Sequence, residues 1–458
     1  MKSSKSAIRR KTHALPTLRF EDQQLTSFSG LVIFQRLFEH LQLKNRLRAC
    51  FRHLGVGPIF GHASIVLLLI VHMLLGYREL RHLRYYQHDP LVCRLLGLKH
   101  LPDVATVSRA LLTVDNKSVN DLQALLRTMV LDRVQALGLR RLTLDFDGSV
   151  IGTCRSAEGT AVGFNKKKKG QRSYYPLFCT VAQTGQVFDV LHRSGNVHDS
   201  NGAQAFILHC IEQVREALPG IIIEVRMDSA FFSDDIVSAL DQARIEYTIS
   251  VPFERFPQLK ELIERRSRWY ELDAQCDYFE TQWKPKCWNR RHRFILVRQA
   301  AKIQNKEALQ LDLFVPHEYG FAFKVVLTNK QLSAAKAVAF HNGRGSQEGI
   351  FGELKSQNQM DYVPTRTWCG NQVYLLSALF AHNLTRELQM ITREPERSTQ
   401  QKRPALWEFE QLDTLRRRII QRAGRLIRPQ GKLTLSMAAN EATENEMLQI
   451  LDAIERAA

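Results

Sequence analysis

The segment Ile221-Ile-Ile-Glu-Val-Arg-Met-Asp228 limits the folds open to this chain more than any other. A nearly unbroken apolar run of that length reads as a strand inside a sheet covered on both faces, because a half-solvated strand would alternate. Its surroundings agree. Leu142-Thr-Leu-Asp-Phe-Asp-Gly-Ser-Val150 reads as an alternating strand closed by Asp-Gly, and Pro176–Thr184 and Gln186–His192 as two strands around Thr184-Gly185. Helices over Gly202–Leu218 and Ser233–Ala243 and a strand over Glu246–Val251 continue the order. Meander strands followed by βα units predict an α/β fold, a mixed sheet covered by helices.

The flanks differ in texture. From about Leu25 to Leu137 apolar residues recur at helical spacing, as in Leu31, Phe34, Leu37 and Leu41, so residues 1–138 are expected to form a helical N-terminal domain. Within it, Pro102–Leu112 opens a helix that presents Thr106, Ser108 and Arg109, either to DNA or as an ordinary capped surface helix. The sheet-forming segment runs over 139–252. Residues 253–330 interrupt it with Trp269, Trp283, Trp288 and strands over Arg293–Arg298 and Phe323–Leu327. Helix returns over 331–393. The last unit, 394–458, reads as a polar linker over Glu394–Pro404, a basic block over Arg416–Arg428 that either meets phosphate or forms a plain amphipathic helix, and an acidic amphipathic helix.

A net charge of +18 and a pI near 9.7 suggest a polyanionic partner, nucleic acid before an acidic membrane face. The eight cysteines contain no CxxC pair, which argues against a zinc ribbon and for buried thiols in a reducing compartment. The most apolar run, Ala63–Gly76, is interrupted by His72 and is shorter than the ~20 residues a bilayer crossing requires. The basic N-terminus leads into no apolar stretch. A soluble cytoplasmic protein with no membrane partner is expected.

Three carboxylates sit where elements begin or end. Asp147 closes the first sheet strand and Asp228 closes the Ile221 strand, where a side chain emerges into the crevice beyond the strand tips. Glu348 lies just inside a predicted helix. Strand-end aspartates are common turn formers, and they are also good oxygen ligands for hard cations. With about 100° per residue and Arg344 as zero, Glu348 falls at about 40°, Lys355 at about 20° and His341 at about 60°. One face would carry an acid flanked by cations, with Glu353 at about 180°. The same spacing also suits a salt-bridged solvent face with Arg344–Glu348 as an i,i+4 pair. The run Lys166, Lys167, Lys168, Lys169 reads as a solvated hairpin tip or a phosphate-tracking loop. His198 and Asp199 suit a hydrolytic pair but read better as part of a capped turn.

These residues resemble a known family. The order Tyr, two residues, Arg, three, Glu, six, Lys marks the DDE transposases of bacterial insertion sequences related to insertion sequence 4. Here it reads His341, Arg344, Glu348, Lys355, with only the aromatic changed. Leu144-Asp-Phe-Asp-Gly-Ser, Gly163-Phe-Asn-Lys-Lys-Lys-Lys-Gly-Gln-Arg-Ser-Tyr-Tyr-Pro, Arg193-Ser-Gly-Asn and Arg226-Met-Asp-Ser-Ala-Phe-Phe are similar, more narrowly, to the insertion sequence 1380 group.

The resemblance implies an RNase H-like catalytic core over 139–252 and 331–393, interrupted by a mainly β insertion domain over 253–330. A helical DNA-binding domain would precede the core and a helical tail would follow it. It implies a metal triad of Asp147, Asp228 and Glu348, with Asp145 the competitor for the first place, holding two Mg²⁺ or Mn²⁺ ions. Arg344, Lys355 and His341 would lie by the DNA phosphates. Trp283 or Trp288 would either stack on a flipped base or belong to the core. The implied activity is cleavage at terminal inverted repeats and transfer of the 3′-hydroxyls to target DNA by a homodimer. A nuclease on the same fold and a non-enzymatic DNA-binding protein remain the alternatives.

Overall fold

The computed structural model describes residues 17–18, 24–55, 60–163, 165, 168–197, 201–300, 320–398 and 402–457. Six helices come first: α1 (Leu31–His40), α2 (Leu43–Cys50), α3 (His62–Leu74), α4 (Pro90–Leu96), α5 (Val104–Leu112) and α6 (Asn116–Ala136). Local chemistry fixes several of their ends. Asp89, Asp103 and Asp115 each accept backbone N–H bonds at the starts of α4, α5 and α6, and Pro90 opens α4 without losing a needed donor. Helix α5 is capped by Asp103, buries Val107 and Leu111, and bonds Arg109 back to Thr106 at 3.0 Å. Helix α3 is buried from Ile65 to Leu74, which explains the apolar run without a bilayer. Its His72 meets the Tyr86 hydroxyl at 2.7 Å, and burial lowers its pKa to about 3. Among the described residues no helix is long and apolar enough to cross a membrane. Cys50, Cys93, Cys179 and Cys210 are buried, whereas Cys154 and Cys287 are exposed, so burial of the thiols is only partial.

The sheet follows, with β1 (Arg141–Gly148), β2 (Leu177–Val181), β3 (Gln186–Leu191), α7 (Ala203–Ala217), β4 (Ile222–Met227), α8 (Asp234–Gln242) and β5 (Glu246–Ser250). After α9 (Pro257–Glu264) come β6 (Tyr270–Asp273), β7 (Cys276–Trp283), β8 (His292–Ala300) and β9 (Phe321–Thr328). The nine strands lie in the order β6-β7-β8-β9-β5-β4-β1-β2-β3. The β1–β4 and β4–β5 pairs are parallel and the others antiparallel. The strands of segment 253–330 thus extend the same sheet, through β9 on β5.

The two faces of the sheet differ because side chains alternate along a strand. Leu142, Leu144, Phe146, Ile223, Val225 and Met227 share one apolar core with α7 and α8. The other face is a buried polar ladder. Register sets Thr143 beside Glu224 and Asp145 beside Arg226. Glu224 is fully buried and accepts from Thr143 Oγ1 (3.1 Å), Lys330 Nζ (2.7 Å) and Arg403 Nε (2.9 Å). Lys402 and Arg403, at the end of the stretch expected as a linker, are therefore bound to the sheet. Arg403 answers a buried carboxylate, the Lys402 carbonyl accepts from Arg226 at 2.7 Å, and Leu406 N donates to Gln183 O.

Burial alone would raise the Glu224 carboxyl, but the Arg403 bond and the Lys330 charge outweigh it and hold the pKa at about 2 against an ordinary 4.5. A depressed folded-state value stabilises the fold above the unfolded pKa, and that contribution is lost as pH falls from about 4.5 towards 2. Melting curves are expected to show wild-type stability declining through this window, by on the order of 3 kcal/mol. Glu224→Gln should start lower and decline less. Identical acid profiles would assign the decline to other carboxylates.

The remaining helices close the molecule: α10 (Ala334–Asn342), α11 (Ser346–Ser356), α12 (Trp368–Thr392), α13 (Leu412–Leu415) and α14 (Glu441–Arg456). Helix α12 is buried without a break from Val373 to Met390. It packs on α3, α5, α6 and α14 and also on β3. Asn383 bonds both the N–H and the carbonyl of Val187 at 2.8 and 2.7 Å, which satisfies the outer edge of the sheet. The helical N-terminal part thus shares its core with α12. The basic block after α13 is not one helix: its last strand, Gly424–Ile427, pairs with Leu25–Thr26 and Thr434–Met437. Arg416 is buried there and donates to the carbonyls of Met73 and Leu74, so it closes the end of α3 instead of facing a phosphate.

Candidate active site

The polar ladder leads to the site. Phe146 is paired with Met227, so Asp147 and Asp228, one residue further on, stand at adjacent ends of two parallel strands. Asp147 Oδ1 accepts from Gly148 N at 2.8 Å, and Asp228 Oδ1 accepts from Ala230 N at 2.9 Å, capping the turn Ser229–Phe231. Both carboxylates are only partly buried.

Asp145 shares the strand face with Asp147 but not its situation. Both its oxygens accept from Arg226, at 2.5 and 2.7 Å, and its carbonyl accepts from Gln347 Nε2 at 3.0 Å. Arg226 is fully buried, and it also donates to the carbonyls of Phe340 and Lys402. A Cβ on Gly343 would lie 2.1 Å from Arg226 Nη1 and 2.0 Å from the Lys402 carbonyl, so this close approach requires glycine. Arg226 thereby ties β1, the end of α10 and the 402 strap together.

The helix face expected over 341–355 is realised in part. Helix α10 stops at Asn342, a 3₁₀ turn spans Gly343–Gly345, and α11 starts at Ser346. Arg344, on that turn, reaches Asp147, Nη1 to Oδ2 at 3.4 Å, with both side chains 19% exposed. Lys355 lines the groove that Asp228 lines. Glu348 is exposed in the first turn of α11. His341 departs from the expectation: it is 2% exposed and sits against β5, with Ser250 Oγ at 2.8 Å and Thr248 Oγ1 at 3.0 Å. Burial first, then Lys324, Arg344 and Arg226, holds its pKa well below the ordinary value. The buried ring there supports β5. The opposite face is not solvent either: Glu353 is buried against Arg386 and accepts from Leu412 N.

Among the described residues, no three His, Cys, Asp or Glu side chains are grouped as a metal site. Asp147 and Asp228 come together; Glu348 is not gathered with them. The groove beside Asp228 measures about 1040 Å³ and is lined also by Gly148, Tyr175, Arg155, Lys168 and Lys355. Lys169 is exposed at the adjoining turn, and Lys166, Lys167, His198 and Asp199 lie outside the described residues. Trp283 stands edge-on to Phe294 and Phe256, and Trp288, 5% exposed, stacks on Phe232 at 4.6 Å. Trp288 is buried in its stack, and Trp283 stays partly exposed. Sequence reading passed over Arg226 and Tyr175. Alternation of Glu224, Arg226 and Asp228 on one strand face was the available signal for the first; nothing local marked the second.

A family model described as Transposase DDE domain group 1 matches residues 11–458. Among solved structures, a piggyBac transposase synaptic complex with hairpin DNA aligns at 12% identity over 78% of this chain and 75% of that one, with a TM-score of 0.41. The Mos1 transposase paired-end complex with the left transposon end aligns at 10% identity over 42% and 60%, with a TM-score of 0.19. A Mos1 mariner paired-end complex with Mn aligns at 10% over 34% and 52%, with a TM-score of 0.18. No curated protein matches the sequence.

Proposed function

The chain belongs to the Transposase DDE domain group 1 family, and from that premise we propose that it cuts DNA at the inverted repeats of a bacterial insertion sequence and joins the ends to target DNA. The observation that carries this reading is the pair Asp147 and Asp228 on adjacent parallel strand ends, with Arg344 arriving from the α10–α11 junction. The order β3-β2-β1-β4-β5, an antiparallel meander followed by two parallel strands, supports an RNase H-like core. In this reading segment 253–330 is its insertion, and the insertion sequence 1380 group is the nearer kin.

The donor set suits a hard divalent cation: carboxylate oxygens at strand ends, partly open to solvent. Asp147 and Asp228 would hold the ions; Glu348 of α11, not gathered with them, is the third carboxylate the resemblance implies. Two bound Mg²⁺ or Mn²⁺ ions would supply the clamp on the attacking and leaving oxygens of an in-line phosphoryl displacement. Arg344 and Lys355 offer cations to the phosphates on either side, as charge-assisted donors. Arg226 keeps Asp145 occupied and holds the Arg344 turn against β1. The surplus of positive charge favours double-stranded DNA as partner, and synapsis of two ends calls for a homodimer.

The test uses oligonucleotides bearing the repeats that flank the gene, pre-cut at the 3′ ends, with a supercoiled target. Joining in Mg²⁺ or Mn²⁺ that stops with EDTA is the expected result. Cutting without joining would make the protein a nuclease. Binding with neither would make it a DNA-binding protein.

A further inference from the structure

Helix α11 exposes Glu348 and is held from its buried side. Gln347, Ile350, Phe351 and Leu354 are buried there, at the spacing of one helix stripe. Phe351 meets Phe178 of β2 with 5.2 Å between ring centroids. On the outer side, a Cβ added at Gly345, Gly349 or Gly352 would meet nothing within 4 Å. The second half of the helix is tied by Glu353 to Arg386 and to Leu412 N. Among the described bonds, its first turn is tied to β1 by Gln347.

Gln347 is the polar member of an otherwise apolar stripe, and it is fully buried. Its Nε2 donates to the Asp145 carbonyl at 3.0 Å, and no described residue bonds its Oε1. A buried amide with one end unanswered is less favourable there than an apolar side chain of the same length. What such a group adds is register, because apolar packing has no direction and a hydrogen bond has one. The register here is that of α11 on β1. Asp145 lies two residues before Asp147, and Gln347 lies one residue before Glu348. Their bond thus joins the strand beneath one carboxylate to the turn that bears the other. We infer that Gln347 is a positioning residue: its bond to the Asp145 carbonyl fixes α11 against β1, and so fixes where Glu348 stands relative to Asp147 and Asp228. This rests on the transposase reading and adds to it a buried residue outside the donor set.

The experiment replaces Gln347 with Met, which has a similar length and suits an apolar stripe. On the full-length protein it measures melting temperature, affinity for repeat-bearing DNA, and cleavage rate at saturating DNA across a Mn²⁺ titration. Gln347→Met is expected to melt within about 4 °C of wild type, since it loses one bond and removes one unanswered oxygen. DNA affinity should hold. Cleavage should fall by up to about 100-fold, the cost of roughly 1 Å of misplacement, and its half-maximal rate should need more Mn²⁺. Hydrogen exchange at the amides of 346–351, followed without metal or DNA, should be faster than in wild type, with α12 unchanged. Wild-type cleavage by Gln347→Met overturns the inference. Slow cleavage with unchanged exchange also overturns it, because the turn would not have moved. So does a collapsed melting temperature with lost DNA affinity, since the bond would then serve the fold. The wild type is read separately: if it binds the repeats and never cuts in Mg²⁺ or Mn²⁺, the transposase reading fails, and the exchange comparison still decides whether Gln347 holds α11.

Discussion

Asp147→Asn and Asp228→Asn are each expected to abolish metal-dependent cleavage, by a factor of about a thousand or more, the upper range for losing one group that stabilises transition-state charge. DNA affinity and melting temperature should stay near wild type. Both side chains are partly open, and their bonds to Gly148 N and Ala230 N are ones an Asn side chain also accepts. Asp145→Asn is the contrast two residues away. It leaves the Arg226 guanidinium buried without its counter-charge, a change that costs about 3–5 kcal/mol. Its effect should therefore appear first as a lower melting temperature and only secondarily as lost activity. Cleavage rate at saturating DNA, a Mn²⁺ titration and a thermal melt on all three variants separate the cases. Full cleavage in Asp147→Asn beside a stable but inactive Asp145→Asn would move the first acid to 145.

That contrast also marks how far the sequence could be read. Strand and helix positions in the core follow from periodicity, and β1 to β5 with α7 and α8 fall within one to three residues of the expected spans. Periodicity failed where a buried face is polar. In a strand that reads as nearly all apolar, Glu224 and Arg226 alternate with Val225 and Met227 and belong to a ladder with Thr143 and Asp145. Buried charges of this kind need partners from far away in the chain, here Lys330 and Arg403, and no local pattern announces such pairs. The same reason ties Lys402 and Arg403, at the end of the stretch expected as a linker, to the sheet. A run of arginines says nothing of which one meets helix-end carbonyls, as Arg416 does. His341 kept the spacing of its motif and lost its surface, because Thr248 and Ser250 of β5 lie over it.

Glu353→Ala is expected to be among the most destabilising single changes in the molecule. A helical wheel sets Glu353 opposite Glu348, which on a solvated helix would make it a harmless control for Lys355. The structure reverses this. Helix α11 lies between the groove and α12, so its far face is interior: Glu353 is 4% exposed, ion-paired with Arg386 of α12 and bonded to Leu412 N at 3.0 Å, at the start of α13. One carboxylate thus joins three helices. Removing it strands a buried guanidinium, already held below its ordinary pKa by burial, and leaves Leu412 N unsatisfied. A loss of about 3–5 kcal/mol follows. Lys355→Ala, two residues on, is partly open and should shift stability by no more than about 0.5 kcal/mol. If Lys355 meets a phosphate beside the cut, its loss instead slows cleavage about 10- to 150-fold, one charge-assisted contact. Denaturant melts and cleavage rates for both variants then give opposite profiles, one unstable, the other stable and slow. A Glu353→Ala protein that melts like wild type would show that Arg386 finds another partner, and a fast Lys355→Ala would return that lysine to the solvent.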